Sequence, residues 1–82
     1  MAHPRIKRHG TNYKILNMLR RGDTIATSTF NNVLSMSTAT IYHCLYELRR
    51  EGYIDQPNYD GNRITKEGLK ILAASDNHYD RR

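Results

Sequence analysis

The chain has 82 residues and a net charge of +5, which fits one domain with a modest core. Its single cysteine excludes an internal disulfide, and no apolar run approaches the ~20 residues that a membrane span needs. The N-terminus lacks the apolar core of a signal peptide, so we expect a cytoplasmic or nucleoid-associated protein.

The excess positive charge is concentrated in the first quarter of the chain. Residues 1–22 contain six basic residues and no acidic one, whereas residues 23–82 contain seven basic and eight acidic residues. A basic segment beside a near-neutral domain suits a polyanionic partner, although a solubilising tail would have the same composition. Residues 1–10 are predicted to form a flexible basic arm. By analogy with homeodomain arms, its cations are candidates to enter a minor groove: Arg5, Lys7 and Arg8.

Two helices are predicted in the first half of the chain. The first covers residues 11–21, with its first residue as the N-cap, and ends at a glycine. A short link follows, in which Ile25 is a candidate for a single strand contact. Ser28 is predicted to cap a short second helix that ends near Leu34, and residues 35–37 have the composition of a tight turn.

The third predicted helix, about residues 38–51, has two contrasting faces. Ser37 or Thr38 caps it, and Gly52 follows its end. At about 100° per residue, one stripe is apolar and is expected to face the core. That stripe consists of Ile41, Cys44, Leu45 and Leu48. The opposite face is small, aromatic and hydrogen-bonding, and consists of Ala39, Tyr42, His43, Tyr46 and Arg50.

A hairpin and a last helix are predicted next. Residues 53–57 form the first strand, the Asp-Gly pair at residues 60–61 favours a tight turn, and residues 62–65 form the returning strand. Thr65 is predicted to cap the last helix. This order predicts a mainly α (α+β) winged helix-turn-helix, with three to four helices and a two-stranded β-hairpin wing. The long helix can then enter the ~12 Å major groove of DNA.

Two motifs resemble known families. Thr40-Ile41-Tyr42, followed at fixed spacing by Leu45, Leu48 and Gly52-Tyr53-Ile54, resembles the Thr-Val-Tyr-x-x-Leu-x-x-Leu-x-x-x-Gly-Leu-Ile pattern of winged-helix repressors of the PadR and MarR type. The segment 64–68 resembles their wing exit, where a Thr-x-x-Gly turn opens the next helix. The resemblance covers about residues 11–74, the expected domain, and leaves residues 75–82 as a polar, frayed tail. Asp60 departs from it, since a Lys or Arg is usual at the wing tip.

These patterns predict a sequence-specific regulator of transcription that binds double-stranded DNA. The recognition helix, about residues 38–51, would lie in the major groove, and the wing, about residues 53–65, at the flanking backbone. The candidate contacts of the helix are Ser37, Thr38, Thr40, Tyr42, His43, Tyr46, Arg49 and Arg50. Those of the wing and the last helix are Asn62, Arg63 and Lys66. Structural alternatives stay open: Tyr42 can pack sideways, Thr40 can support the turn, and the arginines can pair with nearby glutamates.

Other functions receive less support. A protein-interaction module on the same fold and a binder of RNA or single strands stay open, since exposed tyrosines suit both. Catalysis is not expected, because paired carboxylates and a Gly-rich phosphate loop are missing from the sequence. His3, His9, His43 and Cys44 lack zinc-ligand spacing, so no metal, cofactor or small-molecule ligand is expected. A homodimer reading half-sites about 34 Å apart stays open, as does an origin in a phage or mobile element.

Overall fold

The computed structural model describes residues 10–80, and the side chains of residues 10–76. Within this part of the chain, four α-helices and three short β-strands follow one another in the predicted order. Their bounds are α1 Thr11–Met18, β1 Ile25–Ala26, α2 Thr27–Leu34, α3 Thr38–Arg50, β2 Ile54–Asp55, β3 Gly61–Ile64 and α4 Lys66–Asp80. The predicted mainly α class with a winged arrangement is confirmed.

The three strands form an antiparallel sheet in the order β1-β3-β2. Ile25 pairs with Asn62 on one side of β3, and Ile54 pairs with Ile64 on the other. The expected strand contact of Ile25 is confirmed, and it gives the sheet one strand more than the predicted hairpin. β3 is therefore a central strand with partners on both sides.

The hydrophobic core lies where the helices meet the sheet. The buried apolar side chains are Tyr13, Ile15, Leu16, Leu19, Phe30, Ile41, Cys44, Leu45, Leu48, Ile54, Ile64 and Leu72. All four residues of the apolar stripe predicted for α3 belong to this set, so that prediction is confirmed. Their burial is the main favourable term in the folding of the domain. No helix in the described part of the chain is both long and apolar enough to cross a membrane.

Both ends of α3 follow from local sequence. Ser37 is the N-cap, and its Oγ accepts a hydrogen bond from the backbone N–H of Thr40 at 3.2 Å. At the other end, Gly52 has φ +84°, a left-handed conformation that favours glycine just past a helix end. The predicted start and stop of this helix are therefore confirmed.

The caps predicted for α1 and α2 are wrong. Gly10 and Ala26 occupy these N-cap positions without a side-chain hydrogen bond, so Thr11 and Ser28 lie inside the helices. α2 begins directly at the end of β1, and the backbone N–H of Thr27 donates to the carbonyl of Asp60 at 3.3 Å. Because the sheet supplies an acceptor for this N–H, the helix can begin without a capping side chain.

The wing exit explains the Thr-x-x-Gly motif. Thr65 Oγ1 accepts from the backbone N–H of Gly68 at 3.1 Å and donates to the carbonyl of Gly52 at 2.6 Å. Thr65 therefore caps α4, as predicted, and ties it to the end of α3. A Cβ at position 68 would collide with the carbonyl of Tyr53 and the side chain of Ile64, so only glycine fits there.

The tight turn predicted at residues 60–61 is wrong. Gly61 begins β3 and pairs with β1, and the chain reverses over residues 56–60. Asn58 stabilises this loop, since its Oδ1 accepts from the N–H of Gly61 at 2.8 Å. A Cβ at position 61 would meet the methyl of Thr24 and the amide of Asn58, so a larger residue there would displace these side chains.

The last helix is longer than the sequence predicted. α4 continues to Asp80, so residues 75–80, which the sequence assigns to a tail, are part of this helix. Asp76 lies on the side of α4 that faces α1 and accepts from Tyr13 Oη at 2.7 Å and Arg20 Nη2 at 2.8 Å. These contacts hold the helix beyond the end of the predicted domain.

Candidate nucleic-acid interface

An amide of α2 fixes the turn that leads into α3. Asn31 Nδ2 donates to the carbonyl of Met36 at 3.0 Å and to Thr38 Oγ1 at 3.4 Å. Ser37 Oγ, which caps α3, also donates to Thr40 Oγ1 at 2.9 Å. The hydroxyls of Ser37 and Thr40 therefore serve the turn, the structural alternative that the sequence left open for Thr40.

The exposed face of α3 is the one that the sequence predicted. Tyr42 is 56% exposed and Tyr46 is 54% exposed, so about half of each residue is accessible to a partner. His43, Arg49 and Arg50 are also exposed. One helix therefore presents two tyrosines, an imidazole and two guanidinium groups on the side opposite the core.

Several polar and charged groups of this face have partners on α3 itself or just past its end. His43 Nε2 lies 3.3 Å from Glu47 Oε2, one turn further along. The guanidinium of Arg50 lies 3.9 Å from Glu51 Oε2 and 5.9 Å from the centre of the Tyr46 ring. Such exposed pairs contribute little to stability, so a phosphate can replace the carboxylate at small cost.

The wing is joined to α3 through Gln56. Arg49 Nη1 donates to Gln56 Oε1 at 3.4 Å, and Gln56 Nε2 donates to the carbonyl of Tyr59 at 2.6 Å. Tyr59 is 96% exposed in the wing loop. Sequence reasoning missed both residues. An isolated aromatic in a polar loop is a signal that could have found Tyr59, whereas no local pattern marks Gln56.

The predicted DNA contact of Asn62 is wrong. This residue is 1% exposed, and its Nδ2 donates to the carbonyl of Ile25 at 3.1 Å and to Thr27 Oγ1 at 3.2 Å. β3 is the central strand, so the side chain is enclosed by β1 and the start of α2. The next residue, Arg63, is exposed and lies 3.5 Å from Asp55 across the β2–β3 pair.

The remaining predicted cations lie at two places. Lys66 is exposed in the first turn of α4, directly after the wing. Arg5, Lys7 and Arg8 lie outside the described residues. Of the predicted site, the structure thus brings together the outer face of α3, the wing and the start of α4.

The described part of the chain is formally neutral. Residues 10–80 contain eight basic and eight acidic residues, so the net charge of +5 arises from residues 1–9 and 81–82. Long-range attraction to a polyanion depends on net charge and its distribution. The excess positive charge, which is the source of such attraction, therefore lies in residues 1–9 and 81–82.

Two cations of the basic N-terminal quarter are compensated. Arg20 lies 2.8 Å from Asp76, and Arg21 lies 3.6 Å from Asp23. In sequence, both arginines count toward the excess positive charge of residues 1–22. Their acidic partners lie in the segment after residue 22, one of them in the last helix, so this cancellation is not visible within the quarter.

A groove of about 220 Å³ lies between α3 and the wing. Arg49 provides a cation on the α3 side, and Asp60 provides a carboxylate on the wing side. The other polar groups of its lining include the side chains of Thr27, Tyr42, Gln56 and Tyr59. The groove therefore offers hydrogen-bond donors and acceptors, together with one charge of each sign.

Within residues 10–76, no three His, Cys, Asp or Glu side chains come close enough together to hold a metal ion. Cys44 is buried on the core face of α3. Burial, and to a smaller extent the negative charge of Glu47, raise the pKa of its thiol above the ordinary value of 9.0. The thiol is therefore protonated at neutral pH and behaves as a small apolar side chain.

Three solved structures share this arrangement of helices and wing. A MarR/EmrR family transcriptional regulator from Acinetobacter sp. ADP1 superimposes with a TM-score of 0.72 at 19% identity, over 87% of this chain and 53% of its own. ZitR of Lactococcus lactis superimposes with a TM-score of 0.76 at 15% identity, over 99% of this chain and 56% of its own. A mutant of ZitR superimposes with a TM-score of 0.74 at 16% identity, over 99% of this chain and 59% of its own. The fold is a winged helix-turn-helix.

These likenesses concern the fold, because the sequence identities are low. The chain spans a little over half the length of the three structures that it resembles. No family model matches the sequence, and no curated protein matches it. Within the winged helix-turn-helix fold, α2 and α3 are the helix-turn-helix pair, and α3 occupies the position of the recognition helix.

Proposed function

We propose that this chain is a sequence-specific transcription regulator that binds double-stranded DNA. α3 enters the major groove with its exposed face, and the wing lies at the flanking backbone. The shared fold supports the proposal, since one of the structures that the chain resembles is a MarR/EmrR family transcriptional regulator. The chain ends, which contain the excess positive charge, attract the phosphates.

The observation that carries the proposal is the contrast between the two faces of α3. One face is buried in the core, and the other presents Tyr42, His43 and Tyr46 to solvent. A helix held in this way can enter the ~12 Å major groove without disturbing the domain. Hydroxyl and imidazole groups can then hydrogen-bond to base edges and phosphates.

The first test is a selection of bound sequences from a random duplex library. An enriched sequence is expected, and its symmetry reports whether one or two copies bind. Affinity for that duplex is then measured by fluorescence anisotropy at several salt concentrations. Neutralising four to six phosphates predicts a log–log salt slope of about −4 to −5. Negligible affinity for duplex DNA even at low ionic strength would contradict the proposal.

A double variant tests the face of α3 directly. His43→Ala with Tyr46→Ala is expected to weaken binding to the selected duplex at least tenfold and to reduce the preference over random sequence. Both side chains are exposed, so the fold should persist in circular dichroism. The matched control is Leu69→Ala with Lys70→Ala on the exposed side of α4, which should bind as the parent chain does.

Protein docking on the same fold is the second candidate function. The formal neutrality of residues 10–80 favours it, because a DNA-binding domain is usually basic and exposed tyrosines suit protein interfaces. The same double variant separates the two functions. Loss of a protein partner with unchanged DNA affinity supports docking, and competition with single-stranded oligonucleotides tests preference for unpaired strands.

A further inference from the structure

We infer that the groove between α3 and the wing holds one backbone phosphate of the bound duplex. Arg49 is the cation that contacts this phosphate, and Gln56 is the residue that positions Arg49. This inference rests on the proposed function. It adds a specific phosphate contact and a side chain, that of Gln56, which couples the wing to the recognition helix.

The shape of the duplex places a strand at this groove. Each sugar–phosphate strand of DNA separates a major groove from a minor groove. When α3 lies in the major groove and the wing lies beside it, the intervening strand must cross the space between them. The groove of about 220 Å³ lies at this boundary between α3 and the wing. It holds several water molecules at ~30 Å³ each, which is room for a phosphate with part of its hydration shell.

Arg49 is suited to this contact because its guanidinium forms no close ion pair among the described residues. Among the described residues, Arg50 and Arg63 each lie within 4 Å of a carboxylate, whereas no ion pair of Arg49 is found. Its hydrogen bond from Nη1 to Gln56 Oε1, at 3.4 Å, goes to a neutral amide. A guanidinium has five N–H donors, so donors remain for a phosphate oxygen.

Gln56 determines where that guanidinium lies. Its Oε1 accepts from Arg49, and its Nε2 donates to the carbonyl of Tyr59 in the wing loop at 2.6 Å. The amide therefore connects the end of α3 to the wing loop beside this groove. A long arginine side chain loses substantial rotamer entropy when it is ordered, and this contact orders it before DNA arrives.

Asp60 allows a second test, in which the expected change in DNA affinity has the opposite sign. Its carboxylate lines the wing side of the same groove, where it repels a phosphate. Neutralising Arg49 should weaken binding, and neutralising Asp60 should strengthen it. Matched controls are Lys70→Gln and Glu67→Gln, which change the net charge equally on α4, where the two residues pair with each other at 3.6 Å.

The experiment measures affinity and salt slope of the full chain on the selected duplex. Arg49→Gln is expected to weaken binding roughly tenfold and to make the slope shallower by about 0.9, the value for one phosphate. Gln56→Ala should weaken binding roughly threefold in the parent chain and have no effect in the Arg49→Gln background. Asp60→Asn should strengthen binding about two- to fivefold at low salt. Urea midpoints within experimental error of the parent show that each variant is folded.

Two results overturn the inference. One is a salt slope of Arg49→Gln that equals the salt slope of Lys70→Gln. The other is a loss of DNA affinity on Gln56→Ala that has the same size in the parent chain and in the Arg49→Gln background. In either case the parent chain still binds duplex DNA, so the proposed function stands while the groove contact fails. If the parent chain binds no duplex, the proposed function fails and this inference fails with it.

Discussion

The phenol oxygen of Tyr13 donates a 2.7 Å hydrogen bond to Asp76, across 63 residues of sequence. Arg20 reaches the other oxygen of the same carboxylate at 2.8 Å. One acidic side chain of α4 therefore holds a residue within α1 and another just past its end. Because α3 and the wing lie between these helices in sequence, the contact closes the domain.

We expect Asp76→Ala to lower the free energy of unfolding by about 1–2 kcal/mol, because it removes two charge-assisted hydrogen bonds. The expected loss of stability is small for two such bonds, because the Arg20 side chain is nearly half exposed and solvent screens its ion pair with Asp76. Urea denaturation followed by circular dichroism measures it. Asp23→Ala is the control, since its pair with Arg21 is strongly exposed and should contribute less than about 0.5 kcal/mol. Equal losses in both variants would contradict the role given to Asp76.

Asn62→Ala should cost about 1–3 kcal/mol of stability, because the amide is buried and the acceptors on Ile25 and Thr27 lose their donor. The neighbouring variant Arg63→Ala removes an exposed side chain and should change stability by less than about 0.5 kcal/mol. Thermal and urea unfolding of both variants test this. A smaller loss for Asn62→Ala than for Arg63→Ala would show that the buried amide is dispensable.

Two glycines should respond differently to replacement by alanine. Gly68→Ala places a methyl against the carbonyl of Tyr53 and should cost at least about 3 kcal/mol or prevent folding, since neither backbone can move freely. At Gly22 nothing lies within 4 Å, so alanine there meets only the strain of φ +93°, roughly 1 kcal/mol. Soluble yield and urea midpoints of the pair provide the comparison. Similar midpoints would show that the wing exit has room for a side chain.

Cys44 should make the fold sensitive to alkali. Burial raises the pKa of its thiol, so the folded chain keeps a proton that the unfolded chain releases above pH 9.0. The unfolded state then binds fewer protons, and stability falls as pH rises from that value through the higher pKa of the folded thiol. The pKa of Tyr53 is raised too, mainly by burial and then by Glu51 and Glu67, which adds to the loss at higher pH. Urea midpoints from pH 7 to pH 11 measure it, and Cys44→Ala should reduce the slope near pH 9–10.

The sequence was sufficient where the signal is periodic or local. The apolar stripe of α3, its Ser37 cap and the Gly52 stop are confirmed, because helix geometry alone places these residues. It was insufficient where the outcome depends on strand neighbours. Gly61 and Asn62 look like parts of an exposed hairpin, yet both are buried because β1, from a distant part of the chain, pairs with β3.

The same limit applies to the candidate site. The exposed face of α3 could be predicted from the angular positions of its residues. The link from Arg49 through Gln56 to the wing could not, because it depends on how the loop folds back toward the helix. Nor could the compensation of Arg20, whose partner lies 56 residues away.

Asn62 bonds to Ile25 and Thr27 together, so the base of the wing and the first turn of α2 share one buried anchor. We expect the helix-turn-helix and the wing to approach a duplex as one rigid shape. Little conformational freedom is then lost on contact, and little adaptation is possible. Discrimination among DNA sequences would fall partly on the duplex itself, in favour of those that bend or narrow easily to match a fixed protein surface.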